Sequence, residues 1–243
     1  MSPLRSIDCN AGLRYYRGMG NILLAGTAGR LLTELTEETL VRGNRAAVTT
    51  PLEETENAPA GAESITGAKA NKNLHYMAWN LRSPLSARSI VMDAFNTLGS
   101  VDEALVVFSA DTGKKEFHEM SFADMEKALD ESIKSFFFLG KEIFSAFQRQ
   151  KRGALSFALH DGGVEVLPPP QAAACAAFRA FASSLFAQYQ NEAFGLYGYY
   201  SSEAQTRAFA RFLSTSEGRT EKAARRWLRF SGKPGLFSFV RNK

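Results

Sequence analysis

The sequence predicts an α/β fold: a doubly wound, mainly parallel sheet of about seven strands with helices on both faces. Three observations carry this. Strand-like runs alternate with helix-like runs along most of the chain. One run, Ala104 to Phe108, is continuously apolar, as a strand covered on both faces must be. The first run, Asn21-Ile22-Leu23-Leu24-Ala25, opens through Gly26-Thr27-Ala28-Gly29 into a helix-like stretch. Strand, glycine turn and helix in that order begin a dinucleotide-binding unit, because small residues let backbone N–H groups reach an anion.

The elements follow in order. The helix after the glycine turn extends to Arg42-Gly43, and Arg45 to Thr50 is a short strand. Residues 51–73, rich in Ala, Gly, Glu, Asn and Thr, read as a long loop. Leu74 to Trp79 is a third strand. Ser86 to Leu98 is helical, with Ile90, Val91, Ala94, Phe95 and Leu98 on one face. The apolar fourth strand is followed by Ser121-Phe122-Ala123-Asp124, which has the form of a capping box. It opens a helix to about Arg149 that carries a stripe of phenylalanines. Leu155 to Leu159 is a fifth strand, and Pro168-Pro169-Pro170 delays the next helix, Gln171 to Tyr189. Phe194 to Tyr200 is a sixth strand or turn, Ser202 to Leu213 and Thr220 to Phe230 read as helices, and Leu236 to Val240 would close the sheet.

The 243 residues suit one domain at 19–243, preceded by an extension at 1–18. Met19 stands just before the first strand. Two cysteines, Cys9 and Cys175, make no disulfide framework and suggest a reducing cytoplasm. No apolar run has the length of a membrane span, and no signal core precedes the domain. The net charge is +4 with scattered cations, and the basic run Arg219 to Arg229 reads as the solvated face of a helix. Nucleic-acid binding is not expected without an aromatic-basic platform. His75, His118 and His160 have no metal-ligand spacing. Asp102-Glu103 and Glu53-Glu54 read as solvated loop charges rather than paired catalytic acids.

From about Asn21 to Lys243 the order of elements resembles the short-chain dehydrogenase/reductase family, a Rossmann-type fold. The fragments that carry the resemblance are NILLAGTAGRLLTELTEETLVRGNRAAVTT, the long FHEMSFADMEKALDESIKSFFFLGKEIFSAFQRQKRGALSFAL connection, and PQAAACAAFRAFASSLFAQY. The family's glycine turn is Thr-Gly-x-x-x-Gly-x-Gly. Gly26 fits its first glycine, but Arg30 and Leu32 stand at the other two, where Leu32 would intrude on a pyrophosphate. A shift of one residue would let Gly29 serve as second glycine and Arg30 reach a phosphate. Thr49, Thr50 and Pro51 offer no ribose ligand at the second strand's end, and Asn80 falls near the family's adenine-binding Asp. The Asn-Asn-Ala-Gly turn after the fourth strand is replaced by Phe108-Ser109-Ala110-Asp111.

The family's catalytic Asn, Ser, Tyr and Lys correspond here to Ser132, His160, Gln171 and Cys175. The Tyr is the family's general acid/base, and the Lys lowers its pKa. Gln exchanges no proton near neutral pH, Cys supplies no fixed positive charge, and no Tyr-x-x-x-Lys exists in the chain. A His160–Cys175 nucleophile pair is a weaker alternative, since the Ala-rich setting of Cys175 suits a small buried residue.

The resemblance therefore implies a non-catalytic member, a structural or regulatory subunit with no metal and no expected cofactor. The alternatives are an NAD- or NADP-dependent oxidoreductase with a rearranged site, and a small-ligand binding protein using the old cleft. The resemblance also implies a homodimer, a homotetramer or a hetero-oligomer with an active relative. Its interface is expected on the two phenylalanine-bearing helices, centred on some of Phe136, Phe137, Phe144, Phe178 and Phe186.

Overall fold

The computed structural model of the chain describes residues 20–27, 29–52, 71–110, 116–215, 219–232 and 238–239. The proposed extension at 1–18, Cys9, Met19, Asp111 and most of the predicted loop at 51–73 lie outside the described residues. The elements are β1 (Asn21–Gly26), α1 (Arg30–Val41), β2 (Arg45–Pro51), β3 (Leu74–Trp79), α2 (Pro84–Leu98), β4 (Glu103–Ser109), α3 (Phe122–Leu129) and α4 (Ser135–Gln150). They continue with β5 (Ala154–His160), α5 (Pro169–Gln188), β6 (Gly195–Ser201), α6 (Thr206–Leu213), β7 (Trp227–Phe230) and β8 (Ser238–Phe239).

The strands form one sheet in the order β3-β2-β1-β4-β5-β6-β7-β8. Seven are parallel, and β8 is antiparallel to β7. Alternation of side chains along each strand divides the core into two layers. Leu23, Ala25, Val106, Phe157 and Leu196 face α2, α4 and α5. Ile22, Leu24, Leu105, Val107, Tyr197 and Tyr199 face α1 and α6. Between β1 and β4 the winding reverses, and a crevice opens at the carboxyl ends of the strands there.

The helix starts follow local chemistry. Ser83 caps α2 by accepting from the Ser86 N–H, with Pro84 in the first turn. Gly99 ends α2 at φ 80°, a left-handed position that glycine adopts without Cβ strain. The predicted capping box is present: the Ser121 side chain accepts from Asp124 N–H, and the Asp124 carboxylate accepts from Ser121 N–H.

Five expectations need correction. The helix from Phe122 is not a continuous α-helix, because Asp130–Lys134 winds as a π segment between α3 and α4. Thr220 to Phe230 is not a helix: a short 3-10 turn at Glu221–Ala223 leads into β7, which buries Trp227 and Leu228 beside β6. Arg219 is not on a solvated basic face. Its guanidinium enters the protein and pairs at 2.5 Å with Glu103, which is not a solvated loop charge either but a buried residue at the start of β4. The interface expected around the phenylalanines is also changed, since Phe136, Phe144, Phe178 and Phe186 are buried in the protein's own core. Phe178 stacks on Phe108 at 5.5 Å and meets Phe136 edge-on at 5.0 Å. The sheet is wide enough to cover those rings, so of the five only Phe137 is exposed, at 43 %.

Candidate functional site

A cleft of about 820 Å³ opens at the carboxyl edge of the sheet, at the point where the winding reverses. One wall is the β1–α1 turn with Thr27, Gly29 and Arg30. The ends of β2 and β3 contribute Pro51, Leu52, Trp79 and Asn80, and the end of β4 contributes Phe108, Ser109 and Ala110. The opposite wall is helical, with Ala128, Glu131, Ser132 and Gln171. Of the residues singled out from the sequence, the structure thus brings Gly29, Arg30, Asn80, Ser132 and Gln171 together. Gly26, His160 and Cys175 do not line the cleft.

Gly26 serves the sheet. A Cβ there would lie 2.3 Å from the Val107 carbonyl oxygen, so β1 and β4 approach closely only because the residue is glycine. The Thr49 hydroxyl accepts from Gly26 N–H at 3.1 Å and donates to its carbonyl at 3.2 Å. Leu32 does not intrude on the cleft. The helical turn directs it inward, where it packs with Leu31 and Leu35 against the sheet. Gly29 precedes α1 without a side-chain cap, and no acidic residue stands in the first turn. The N-terminus of α1 is therefore electrostatically positive towards the cleft.

Arg30 is well exposed at that terminus and pairs with Glu34 at 2.8 Å. Burial raises the Glu34 pKa, but hydrogen bonds from the Thr206 hydroxyl and Arg30 outweigh it and hold the carboxyl below its ordinary value. Across the cleft Arg82 approaches Glu131 at 3.7 Å, and Lys127 approaches the same carboxylate at 3.8 Å. Glu131 and Ser132 sit in the π segment, whose wider winding swings this part of the helix towards the cleft. Asn80 Oδ1 accepts from Arg82 N–H at 3.1 Å.

His160 is 4 % exposed and turned away. Its Nε2 donates to the Glu203 carbonyl at 2.8 Å, so in the neutral ring Nδ1 accepts from Ser109 Oγ at 3.3 Å. Cys175, half-buried on α5, has its thiol pushed up to about 11 by burial and by the nearby Asp161 carboxylate. It is protonated at neutral pH and forms no nucleophile pair with His160. In a Cys9→Ser variant, alkylation of Cys175 by iodoacetamide is expected to rise about tenfold per pH unit from neutrality towards pH 11. A plateau near pH 8 would contradict the assignment.

Beside Cys175 lies a network that sequence reasoning missed. The Tyr200 hydroxyl, from the end of β6, donates to Asp161 Oδ2 and accepts from Ser202 Oγ at 2.6 Å. Arg179, one turn beyond Cys175, lies 5.7 Å from the Tyr200 ring centre. Arg82, Glu131 and Trp79 were missed as well. No motif marks them; the end of β3, the turn after it and the π segment bring them to the cleft. No cluster of three or more His, Cys, Asp or Glu suited to a metal occurs among the described residues.

No family model and no curated protein matches the sequence. Solved structures do match. A short-chain dehydrogenase from Mycobacterium smegmatis superposes with a TM-score of 0.68 at 12 % identity, over 88 % of this chain and 92 % of that one. The fold is that of the short-chain dehydrogenase/reductases. A glucose/ribitol dehydrogenase-type short-chain dehydrogenase/reductase from Brucella melitensis gives a TM-score of 0.67 at 15 % identity, over 88 % and 96 % of the two chains. ElxO, solved with NADP bound, gives 0.61 at 12 % identity, over 76 % and 73 %.

ElxO holds NADP, and the fit of such a dinucleotide to the present cleft can be tested against its lining. The adenosine half fits poorly among the described residues. Thr50, Pro51 and Leu52 at the end of β2 offer no charged group for the ribose or its phosphate. Asn80, in place of a carboxylate, brings a neutral amide whose oxygen gives one of its two lone pairs to Arg82 N–H. Trp79, in the cleft wall, carries an indole N–H that is buried without an acceptor.

Proposed function

We propose that this chain is a non-catalytic protein of short-chain dehydrogenase/reductase type, a binding and regulatory subunit rather than an oxidoreductase. One observation carries the reading: the cleft is kept open while its walls, among the described residues, hold no group poised to move a proton to a bound carbonyl. Gln171 lines it as a neutral amide, Cys175 stays a thiol, and the imidazole of His160 is buried and bonded at both nitrogens. Glu131 is engaged by Arg82 and Lys127. NAD and NADP, reduced or oxidised, are expected to bind no tighter than about millimolar.

The test is incubation with NADH or NADPH and a panel of ketones and 3-oxoacyl thioesters. No nucleotide oxidation above background is expected. Turnover by the unaltered chain would end this reading, and turnover that survives Cys175→Ala and His160→Ala would exclude those two side chains as its source.

Association with a second copy or with an active relative is part of the same proposal. Phe137, exposed on α4 and 4.5 Å from Phe181 on α5, supports a contact through that face. A second reading, an oxidoreductase with a rearranged site, is favoured by the Tyr200–Asp161 pair with Arg179 nearby, a phenol and a cation close to where the family keeps its own. In that case Tyr200→Phe would abolish the turnover sought above.

A further inference from the structure

The end of β3 brings Trp79 and Asn80 to the cleft wall, and each has a side-chain N–H group without an acceptor among the described residues. Asn80 Oδ1 receives Arg82 N–H at 3.1 Å, which fixes the side-chain amide with its NH₂ group free of partners among the described residues. The Ser86 hydroxyl accepts from the Asn80 backbone N–H at 3.0 Å and anchors the turn. Directly before it, Trp79 forms part of the cleft wall at 2 % exposure, and its indole N–H meets no acceptor. Indole nitrogen can only donate, and a buried donor without an acceptor costs free energy until something supplies one. The chain's other tryptophan differs: Trp227 Nε1 donates to Ser183 Oγ at 3.0 Å.

We propose that the cleft selects an oxopurine nucleotide over an adenine nucleotide, with Trp79 and Asn80 as the residues that read the ring. The carbonyl at the purine 6-position accepts hydrogen bonds, whereas the adenine 6-amino group donates them and would face donors here. Arg30, 73 % exposed beside the uncapped start of α1, is placed for the phosphate. Pro51, Leu52 and Phe108 supply apolar surface for a ring. The inference rests on the binding-protein reading and names the ligand class for that cleft.

Guanosine and adenosine monophosphates share ribose and phosphate, so their comparison isolates the ring. Calorimetric titration of the unaltered chain is expected to give guanosine monophosphate an affinity roughly tenfold higher or more. Asn80→Asp, an exposed substitution that puts an acceptor in place of the NH₂ group, is expected to erase or invert that ratio. Trp79→Phe is expected to weaken the guanine ligand and leave the adenine one unchanged. Equal affinities in the unaltered chain would overturn the proposal. So would a ratio indifferent to Asn80→Asp, or no binding of either nucleotide at millimolar concentration. Carbonyl reduction by the unaltered chain would defeat the non-catalytic reading and still leave the ratio to be measured, so the two failures are distinct.

Discussion

Replacing Arg219 by Ala is expected to cost about 3–5 kcal/mol of folding stability, because it strands a buried carboxylate. The Arg219 and Glu103 side chains are 14 % and 9 % exposed and meet at 2.5 Å. The Ser156 hydroxyl donates to the same Glu103 oxygen at 3.1 Å, and Arg219 also donates to the carbonyls of Thr215 and Leu213. Burial raises the Glu103 pKa, and Arg219 acts against that rise. Without the guanidinium the rise is larger. A carboxyl raised in the folded state loses stability as pH climbs through its folded pKa, so the deficit should be largest near pH 8 and shrink towards pH 5. Urea unfolding at both values checks this. A deficit under about 1 kcal/mol at pH 8, or one that grows on acidification, would remove the pair from the set of interactions that hold the fold.

Phe178→Ala is expected to destabilise by a similar amount, about 3–5 kcal/mol, through the cavity it leaves. The ring is fully buried and contacts Phe108, Phe136, Phe157 and Trp227 at centroid separations of 5.0–6.4 Å. It therefore ties α5 to α4 and to three strands. Denaturant midpoints should fall with little change in the slope of the transition. Had Phe178 served an interface between subunits, as the sequence pattern suggested, truncation would instead shift the oligomeric state with a small loss of protomer stability. Sedimentation of the variant separates these outcomes.

The sheet was legible because its signals are local. The apolar run Ala104 to Phe108, the periodic helix before Leu98 and the Ser121–Asp124 cap are each decided by a few neighbouring residues. The carboxyl-terminal region misled for the opposite reason. Trp227 and Leu228 alternate with arginines in a way that suits an amphipathic helix as well as a strand, and the pairing with β6 decides between them. Leu32 occupied a family glycine position in the sequence, yet its direction is set by the turn of α1 and points to the core. The cleft was half legible: Gly29, Arg30, Asn80, Ser132 and Gln171, carried over from the family resemblance, are found among its lining residues. The roles of Trp79 and Asn80 follow from which hydrogen-bonding groups find partners, and no spacing rule encodes that.

The antiparallel strand β8 has a consequence for handling the protein. It pairs with β7 through Leu228 and Arg229 and occupies hydrogen-bonding groups that would otherwise lie open along that margin. Uncovered margins of sheets recruit other chains. Among the described residues, Ser238 and Phe239 thus stand between β7 and intermolecular strand pairing. Shortening the chain ahead of them would leave the catalytic question untouched and yield material prone to precipitate.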